Sequence, residues 1–210
     1  MSTAAFAPVE RRPTEIPEPA LARFLFADTR LAWFWLIVRV YCGWQWLEAG
    51  WGKLQNPAWF GPSAGGALTG FVNGALSKTS GDHPDVGDWY AWFLQTFVLP
   101  YPTFWSNAVA VGETLVGIGL IVGALTGVAA FFGTLMNVNY LFAGTVSTNP
   151  LLFVLGTWLV LAWRVAGWYG VDRWLLPLFG TPWWPGKIRQ PDQATSETPP
   201  AEPTGRPAAA

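Results

Sequence analysis

The stretch VAVGETLVGIGLIVG, from Val109 to Gly123, is the one that decides the fold. Every residue in it except Glu113 is aliphatic, glycine or threonine. An apolar run of this kind predicts a helix that is buried or that spans a membrane. A carboxylate inside such a helix faces a bundle interior or a wet cavity, and by default it marks a functional site. The fold and the candidate site are therefore predicted from the same residues.

The composition of the whole chain points to a membrane protein. Of its 210 residues, 51% are hydrophobic and 12% are charged, which is more apolar and less charged than a typical soluble domain. Many of the 15 tryptophans lie where apolar runs meet polar ones, as aromatic rings do at a bilayer surface. The net charge of -1 gives no reason to expect a nucleic-acid partner. We predict an integral membrane protein.

Cysteine and histidine are too few for most resident cofactors. Cys42 is the single cysteine, which excludes an intrachain disulfide and a cysteine-built zinc or iron–sulfur site, and it is expected to be a core residue. His83 is the single histidine, which excludes paired axial histidines on a haem. There is no glycine fingerprint for a dinucleotide after a strand. We predict no metal and no covalently bound cofactor.

Four apolar segments are long enough to cross a bilayer, which takes about 20 residues each. They are predicted at residues 31–50, 104–125, 128–146 and 151–170, with a long outer loop at 51–103. That loop contains two amphipathic stretches, GGALTGFVNGALSKT and WYAWFLQTFVL. The predicted fold is an all-α membrane protein, a four-transmembrane-helix bundle with two short amphipathic helices in the loop between spans 1 and 2.

The domain organisation and orientation follow from charge and proline content. Residues 31–178 form the predicted transmembrane domain, between a largely disordered tail at 1–30 and a second tail at 179–210 that is disordered from about 189. Basic residues concentrate before the first span and after the fourth, which predicts that both termini are cytoplasmic. The basic residues in question are Arg12, Arg23, Arg30, Arg173, Lys187 and Arg189.

Counting depth along the predicted helices, at 1.5 Å per residue, brings several polar groups into one layer. Arg39 and Glu113 fall close enough in depth to form an ion pair, with Glu48, Asn137 and Asn139 in the outer half of the same bundle. Such a pair is either part of a functional site or a structural contact that fixes helix register. The sequence leaves both interpretations open.

Residues next to this layer complete the candidate site. Lys53 and Arg39 would attract an anion or polarise a carbonyl. Trp44, Trp51 and Trp59 are candidates to stack on an aromatic head group, although aromatic anchoring at the membrane interface is the alternative for each.

Three segments resemble the DoxX/DoxD family of four-helix membrane proteins, which includes the small subunit of thiosulfate:quinone oxidoreductase. They are RVYCGWQWLEAGWGKLQNPAWF, GETLVGIGLIVGALTG and WRVAGWYGVDRWL. The residues that match the family's pattern are Arg39, Gly43, Gly50, Lys53, Glu113, Gly117, Leu120, Gly123, Leu125, Gly167 and Asp172. The resemblance extends over about residues 31–178.

This resemblance implies a subunit of a redox module in the inner membrane of a bacterial or archaeal cell. The module would perform quinone-linked oxidation of a small sulfur compound such as thiosulfate, or electron transfer in oxidative stress, with a redox partner subunit. Glu113 would exchange a proton with a bound quinone. A small-solute or proton transporter or channel is the alternative, and a non-catalytic scaffold subunit is the second. A homo-oligomer is a further expectation.

Overall fold

The computed structural model describes residues 18–181 and 184–185, and within them the fold is all-helical apart from one two-residue strand pair. The predictions of disordered tails fall mostly on residues outside this range. The helices are α1 (Ala20–Ala27), α2 (Ala32–Leu54), α3 (Gly66–Leu76), α4 (Asp88–Phe93), α5 (Pro102–Val122), α6 (Thr126–Phe142), α7 (Asn149–Leu161), α8 (Trp163–Ala166) and α9 (Asp172–Phe179). Strands β1 (Gly180–Thr181) and β2 (Trp184–Pro185) pair antiparallel.

The long helices α2 and α5 run antiparallel in close contact, because glycines allow their backbones to approach. A Cβ on Gly43 would lie 2.9 Å from the Ile121 backbone nitrogen, and a Cβ on Gly50 would lie 2.5 Å from that of Thr114. Gly117 of α5 packs in the same way on the backbone of Leu47. Close contact at small residues is how helices associate in membranes. These glycines fix the register of the two helices.

Helices α6 and α7 pack beside this pair and enclose an apolar core. Trp35, Leu120 and Leu159 are among its largest fully buried side chains. The indole nitrogen of Trp35 donates a hydrogen bond to the Leu25 carbonyl over 2.7 Å, which ties α1 to the bundle. The outward faces are also apolar, and examples are Ile37 and Leu115, which are 60% and 63% exposed. Extensive exposed apolar surface is what a lipid or protein environment would cover.

Length and apolar composition single out one of the described helices as able to cross a membrane, and it is α5. Helix α7 is apolar but has only 13 residues, and α2 carries Arg39, Glu48 and Lys53. The fourth predicted span, at 151–170, is not one continuous helix. Helix α7 ends at Leu161, and α8 starts after a break at Ala162 that brings Trp163 against Gly127 of α6.

The connection between α2 and α5 contains two short helices, as the sequence predicts, and they build a core of their own. Helix α4 continues as a π-helix at Leu94–Val98. Leu68, Val72, Val86 and Tyr90 are buried together in this second core. We call the segment from α3 to the end of the π-helix the lid. The lid is attached to the end of α6 by the Lys78 ammonium, which donates a hydrogen bond to the Gly144 carbonyl over 2.8 Å, and by Tyr90.

Candidate functional site

Glu113 is buried where three helices meet, and it is 1% exposed. The Lys53 ammonium, at the end of α2, donates to its Oε2 over 2.6 Å. The Tyr140 hydroxyl, from α6, donates to its Oε1 over 2.5 Å. Both carboxylate oxygens thus accept from a donor, which is the pattern of the ionised acid. Glu113 is the centre of an ion pair and hydrogen-bond network linking α2, α5 and α6.

The contact of Gly50 with Thr114 brings Lys53 to this position. Lys53 follows Gly50 by three residues, so both lie on the same face of α2, and Glu113 precedes Thr114 directly. The Lys53 ammonium also lies 5.2 Å from the centre of the Trp59 ring, a cation–π contact. The carboxylate and the indole therefore hold the ammonium from two sides.

A cavity of about 460 Å³ opens beside this network, and we call it the Glu113 cavity. Its charged lining consists of Glu48, Lys53 and Glu113, and its aromatic walls are Trp46, Trp59 and Phe71. The Tyr140 ring stacks on Trp46 with 6.4 Å between ring centres and meets Phe71 edge-on at 6.1 Å. Neutral polar residues complete the lining, namely Gln45, Thr145, Ser147, Thr148 and Asn149. The cavity thus combines flat apolar walls with hydrogen-bonding groups, as small-molecule sites do.

Asn137 supports this cavity from behind. Its side-chain nitrogen donates to the Asn149 side-chain oxygen over 3.2 Å, and Asn149 in turn donates to the Thr145 carbonyl. These bonds hold the turn between α6 and α7, which supplies most of the neutral polar lining. The Asn137 Oδ1 is buried and has no hydrogen-bond partner among the described residues.

The predicted pair of Arg39 with Glu113 is wrong, since Arg39 lies at the opposite end of α2 from Lys53. Its Nη2 donates to the Tyr169 carbonyl over 3.1 Å, and its guanidinium packs on Gly123 and Gly170. The depth count assumed that the end of the first span, near Trp51, and the start of the second span, near Phe104, lie at the same depth in the membrane. The Gly50–Thr114 contact instead offsets the helices by roughly 14 Å, at 1.5 Å per residue, so the start of α5 extends beyond α2 beneath the lid.

A family comparison gives the chain its family. The DoxX family model matches residues 34–146, which is more than half of the chain. The chain belongs to the DoxX family. It is accordingly a DoxX family membrane protein. No curated protein and no solved structure matches it. Lys53, Glu113 and Tyr140 all lie within the DoxX match.

The charge opposite Arg39 belongs to Asp172, which follows the DoxX match in sequence. The two side chains are farther apart than a direct ion pair, but Asp172 acts on Arg39 electrostatically. The Asp172 carboxylate accepts from the backbone nitrogens of Leu125 and Thr126 over 2.7 and 2.8 Å. Through these two bonds Asp172 caps the start of α6. Leu125, the residue before the helix, has a left-handed backbone with a φ of 50°. We call these residues the Arg39 cluster.

The remaining predicted residues of this DoxX chain divide between the Glu113 cavity and other places. Trp59 and Glu48 line the Glu113 cavity. Trp44 and Trp51 are 59% and 56% exposed and do not line it. Asn139 lines a second cavity of about 290 Å³ between the lid and α5–α6, where its carbonyl accepts a hydrogen bond from the Tyr90 hydroxyl over 2.9 Å.

Sequence reasoning missed Tyr140, Trp46 and Asn149. Tyr140 follows Asn137 by three residues, so the two share a face of α6. That spacing was the available signal, and the abundance of aromatic residues in the chain concealed it. Asn149 lay in a segment interpreted only as a turn.

Proposed function

We propose that this DoxX chain is the quinone-binding subunit of a membrane redox module and that the quinone head group occupies the Glu113 cavity. The observation that carries the proposal is the buried Glu113, held by Lys53 and Tyr140 at the edge of a cavity with aromatic walls. The quinone ring would lie among Trp46, Trp59 and Phe71, which line the cavity. A quinone carbonyl needs a hydrogen-bond donor, which Lys53 supplies, because only one of its three N–H groups is used by Glu113.

The chemistry asked of these residues is proton transfer. Reducing a quinone to a quinol takes two electrons and two protons. The Lys53 ammonium donates from one of its two remaining N–H groups to a carbonyl oxygen. Glu113, which accepts from Lys53 and Tyr140, takes up protons from water and passes them to the reduced quinone as general acid or base. The electrons come from a redox centre of a partner subunit, which oxidises a small sulfur compound such as thiosulfate. Electron transfer in oxidative stress would use the same site.

The second cavity supports this proposal. Phe71 and Tyr140 line both cavities, so their rings form a shared wall. The second cavity is lined mainly by apolar side chains, among them Leu68, Val72 and Leu94. A head group in the Glu113 cavity would thus have an apolar space beside it for its hydrocarbon tail.

The membrane placement is part of the proposal. Helices α2, α5, α6 and α7 with α8 would form the four spans of a multi-pass inner-membrane protein, with both termini cytoplasmic and the lid outside. Single cysteines at Thr29 and Ser80 test this, because a membrane-impermeant maleimide applied to intact spheroplasts should label S80C and spare T29C. The reverse labelling would overturn the orientation.

The transport alternative has less support from the structure. It needs a polar path between the Glu113 cavity and the Arg39 cluster. Buried apolar side chains lie between these two sites, among them Cys42, Val116 and Leu120. We therefore favour binding and electron transfer over conduction.

The test is purification in mild detergent, followed by quinone extraction and mass spectrometry of co-purifying proteins. We expect bound quinone and a redox partner with the wild type, and loss of quinone in Glu113→Gln and Tyr140→Phe. Tyr101→Phe is the control, since it also removes one tyrosine hydroxyl but is 65% exposed and lies outside both cavities. It should keep the quinone.

Two results would contradict the proposal and point elsewhere. A lone protein without quinone that moves solute in liposomes would establish a transporter. A stoichiometric partner without quinone, unaffected by Glu113→Gln, would establish a scaffold.

A further inference from the structure

The described lining of the Glu113 cavity carries a surplus of negative charge. It contains two carboxylates, Glu48 and Glu113, and one ammonium, Lys53. Glu113 and Lys53 neutralise each other at 2.6 Å. Glu48 is solvent-exposed and has no ion-pair partner among the described residues. The surplus is therefore the charge of Glu48.

The other cations near the bundle do not offset Glu48. Arg39 lies at the opposite end of α2, in the Arg39 cluster. Lys78 donates to the Gly144 carbonyl and lies beside Asp85, and neither Lys78 nor Asp85 lines the cavity. The remaining lining groups are neutral amides, hydroxyls and aromatic rings. The ring faces carry a negative quadrupole potential, which also disfavours an anion above them.

We propose that the Glu113 cavity admits neutral and cationic ligands and excludes anions, and that Glu48 sets this selectivity. The inference deepens the proposed function and rests on it only in assigning the cavity to a quinone. A neutral quinone or quinol satisfies this requirement. A sulfur oxyanion such as thiosulfate does not, because both its approach and its binding are opposed by the unpaired carboxylate.

This selectivity means that the two subunits of the module bind different reactants. The anionic sulfur compound is oxidised at the partner subunit, and this chain handles only the neutral electron acceptor. Of the two roles expected for Arg39 and Lys53, attracting an anion or polarising a carbonyl, this proposal keeps only the second, and only for Lys53. Arg39 lies elsewhere, and Lys53 already has its counter-ion.

Charged thiol reagents measure the potential in the cavity without any knowledge of the ligand. Thr148→Cys places a thiol in the cavity lining, at an exposed residue with φ of -83°. Its thiolate attacks a methanethiosulfonate to form a disulfide and release methanesulfinate. The rates are compared for a trimethylammonium-ethyl reagent, a sulfonatoethyl reagent and the neutral methyl reagent. The wild type, whose Cys42 is buried, gives the background.

We expect T148C to react faster with the cationic than with the anionic reagent, by roughly tenfold at low salt. Ser63→Cys is the control, because Ser63 is exposed and lies outside the cavity lining. The cation-to-anion ratio of T148C should fall several-fold with Glu48→Gln and invert with Glu48→Lys. The rate with the neutral reagent should stay constant, which shows that the variants remain folded.

A ratio for T148C that equals that of S63C and ignores both Glu48 changes would overturn the inference. A faster reaction with the anionic reagent would do the same. These outcomes are independent of the quinone assay. If quinone is bound but the cation-to-anion rate ratio of T148C equals that of S63C, the charge selectivity is wrong and the proposed function stands. If the ratio shows charge selectivity but no quinone is bound, the charge selectivity stands and the proposed function is wrong.

Discussion

Gly50 and Thr114 touch so closely that a Cβ on Gly50 would lie 2.5 Å from the Thr114 nitrogen and 2.6 Å from its hydroxyl oxygen. We therefore expect Gly50→Ala to separate α2 from α5 and to destabilise the protein by about 1–3 kcal/mol. Unfolding in detergent measures the loss. Gly52→Ala is the matched control, since nothing lies within 4 Å of the added carbon. It should be neutral or stabilising by about 0.5–1 kcal/mol. Equal losses in both variants would contradict the register described for the bundle.

Removing Lys53 leaves Glu113 buried without its counter-ion. Lys53→Met should destabilise the protein by about 2–4 kcal/mol, because the carboxylate stays desolvated and keeps only the hydroxyl of Tyr140. The double variant Lys53→Met, Glu113→Gln should be more stable than Lys53→Met alone, since the unpaired charge is gone. A double-mutant cycle on unfolding free energies tests this coupling. Additive losses would mean that the two side chains do not interact.

Asp172 connects the last part of the described chain to the start of α6. Asp172→Ala should destabilise the protein by about 2 kcal/mol, since two backbone donors lose their acceptor. Asp88→Ala is the control, an exposed carboxylate in the first turn of α4. Thermal unfolding should show a small loss for D88A and a clear one for D172A. A loss no larger than that of D88A would refute the capping role.

The lid should weaken at alkaline pH through Tyr90. Burial raises the pKa of Tyr90 to about 12, above its ordinary value of 10. A raised pKa means that the stability from the neutral hydroxyl is fully present below pH 10 and is lost as the pH rises through 12. The difference in unfolding free energy between wild type and Tyr90→Phe should therefore shrink between pH 10 and 12. Tyr101→Phe, whose ring is 65% exposed, should track the wild type instead.

The sequence was sufficient for most of the helices and for the burial of Glu113. Apolar runs place α2, α5 and α6 to within about four residues at each end, whereas the run at 151–170 is divided between α7 and α8. The two amphipathic stretches of the long connection correspond to α3 and α4. Glu113 was identified because a carboxylate in an apolar helix requires a partner. Lys53, Glu48 and Trp59 were identified with it and do line the same cavity.

The partner of Glu113 was not predictable from depth counting. Counting assumes that neighbouring helices start at the same level, whereas contacts at Gly43, Gly50 and Gly117 set the actual offset. The sequence shows glycines throughout these helices and does not say which of them face one another. Tyr140 depends on the same offset, because only the assembled register brings its hydroxyl to Glu113.

The cap that Asp172 provides has a consequence for biogenesis. The turn between α5 and α6 is complete only when a residue some 46 positions later in the chain reaches Thr126. During synthesis α5 and α6 thus leave the ribosome before the acceptor for their turn exists. The first helices are therefore inserted before the hydrogen bonds that cap their connecting turn can form. A nascent chain that stops short of α9 would leave that turn uncapped and accessible to quality-control proteases.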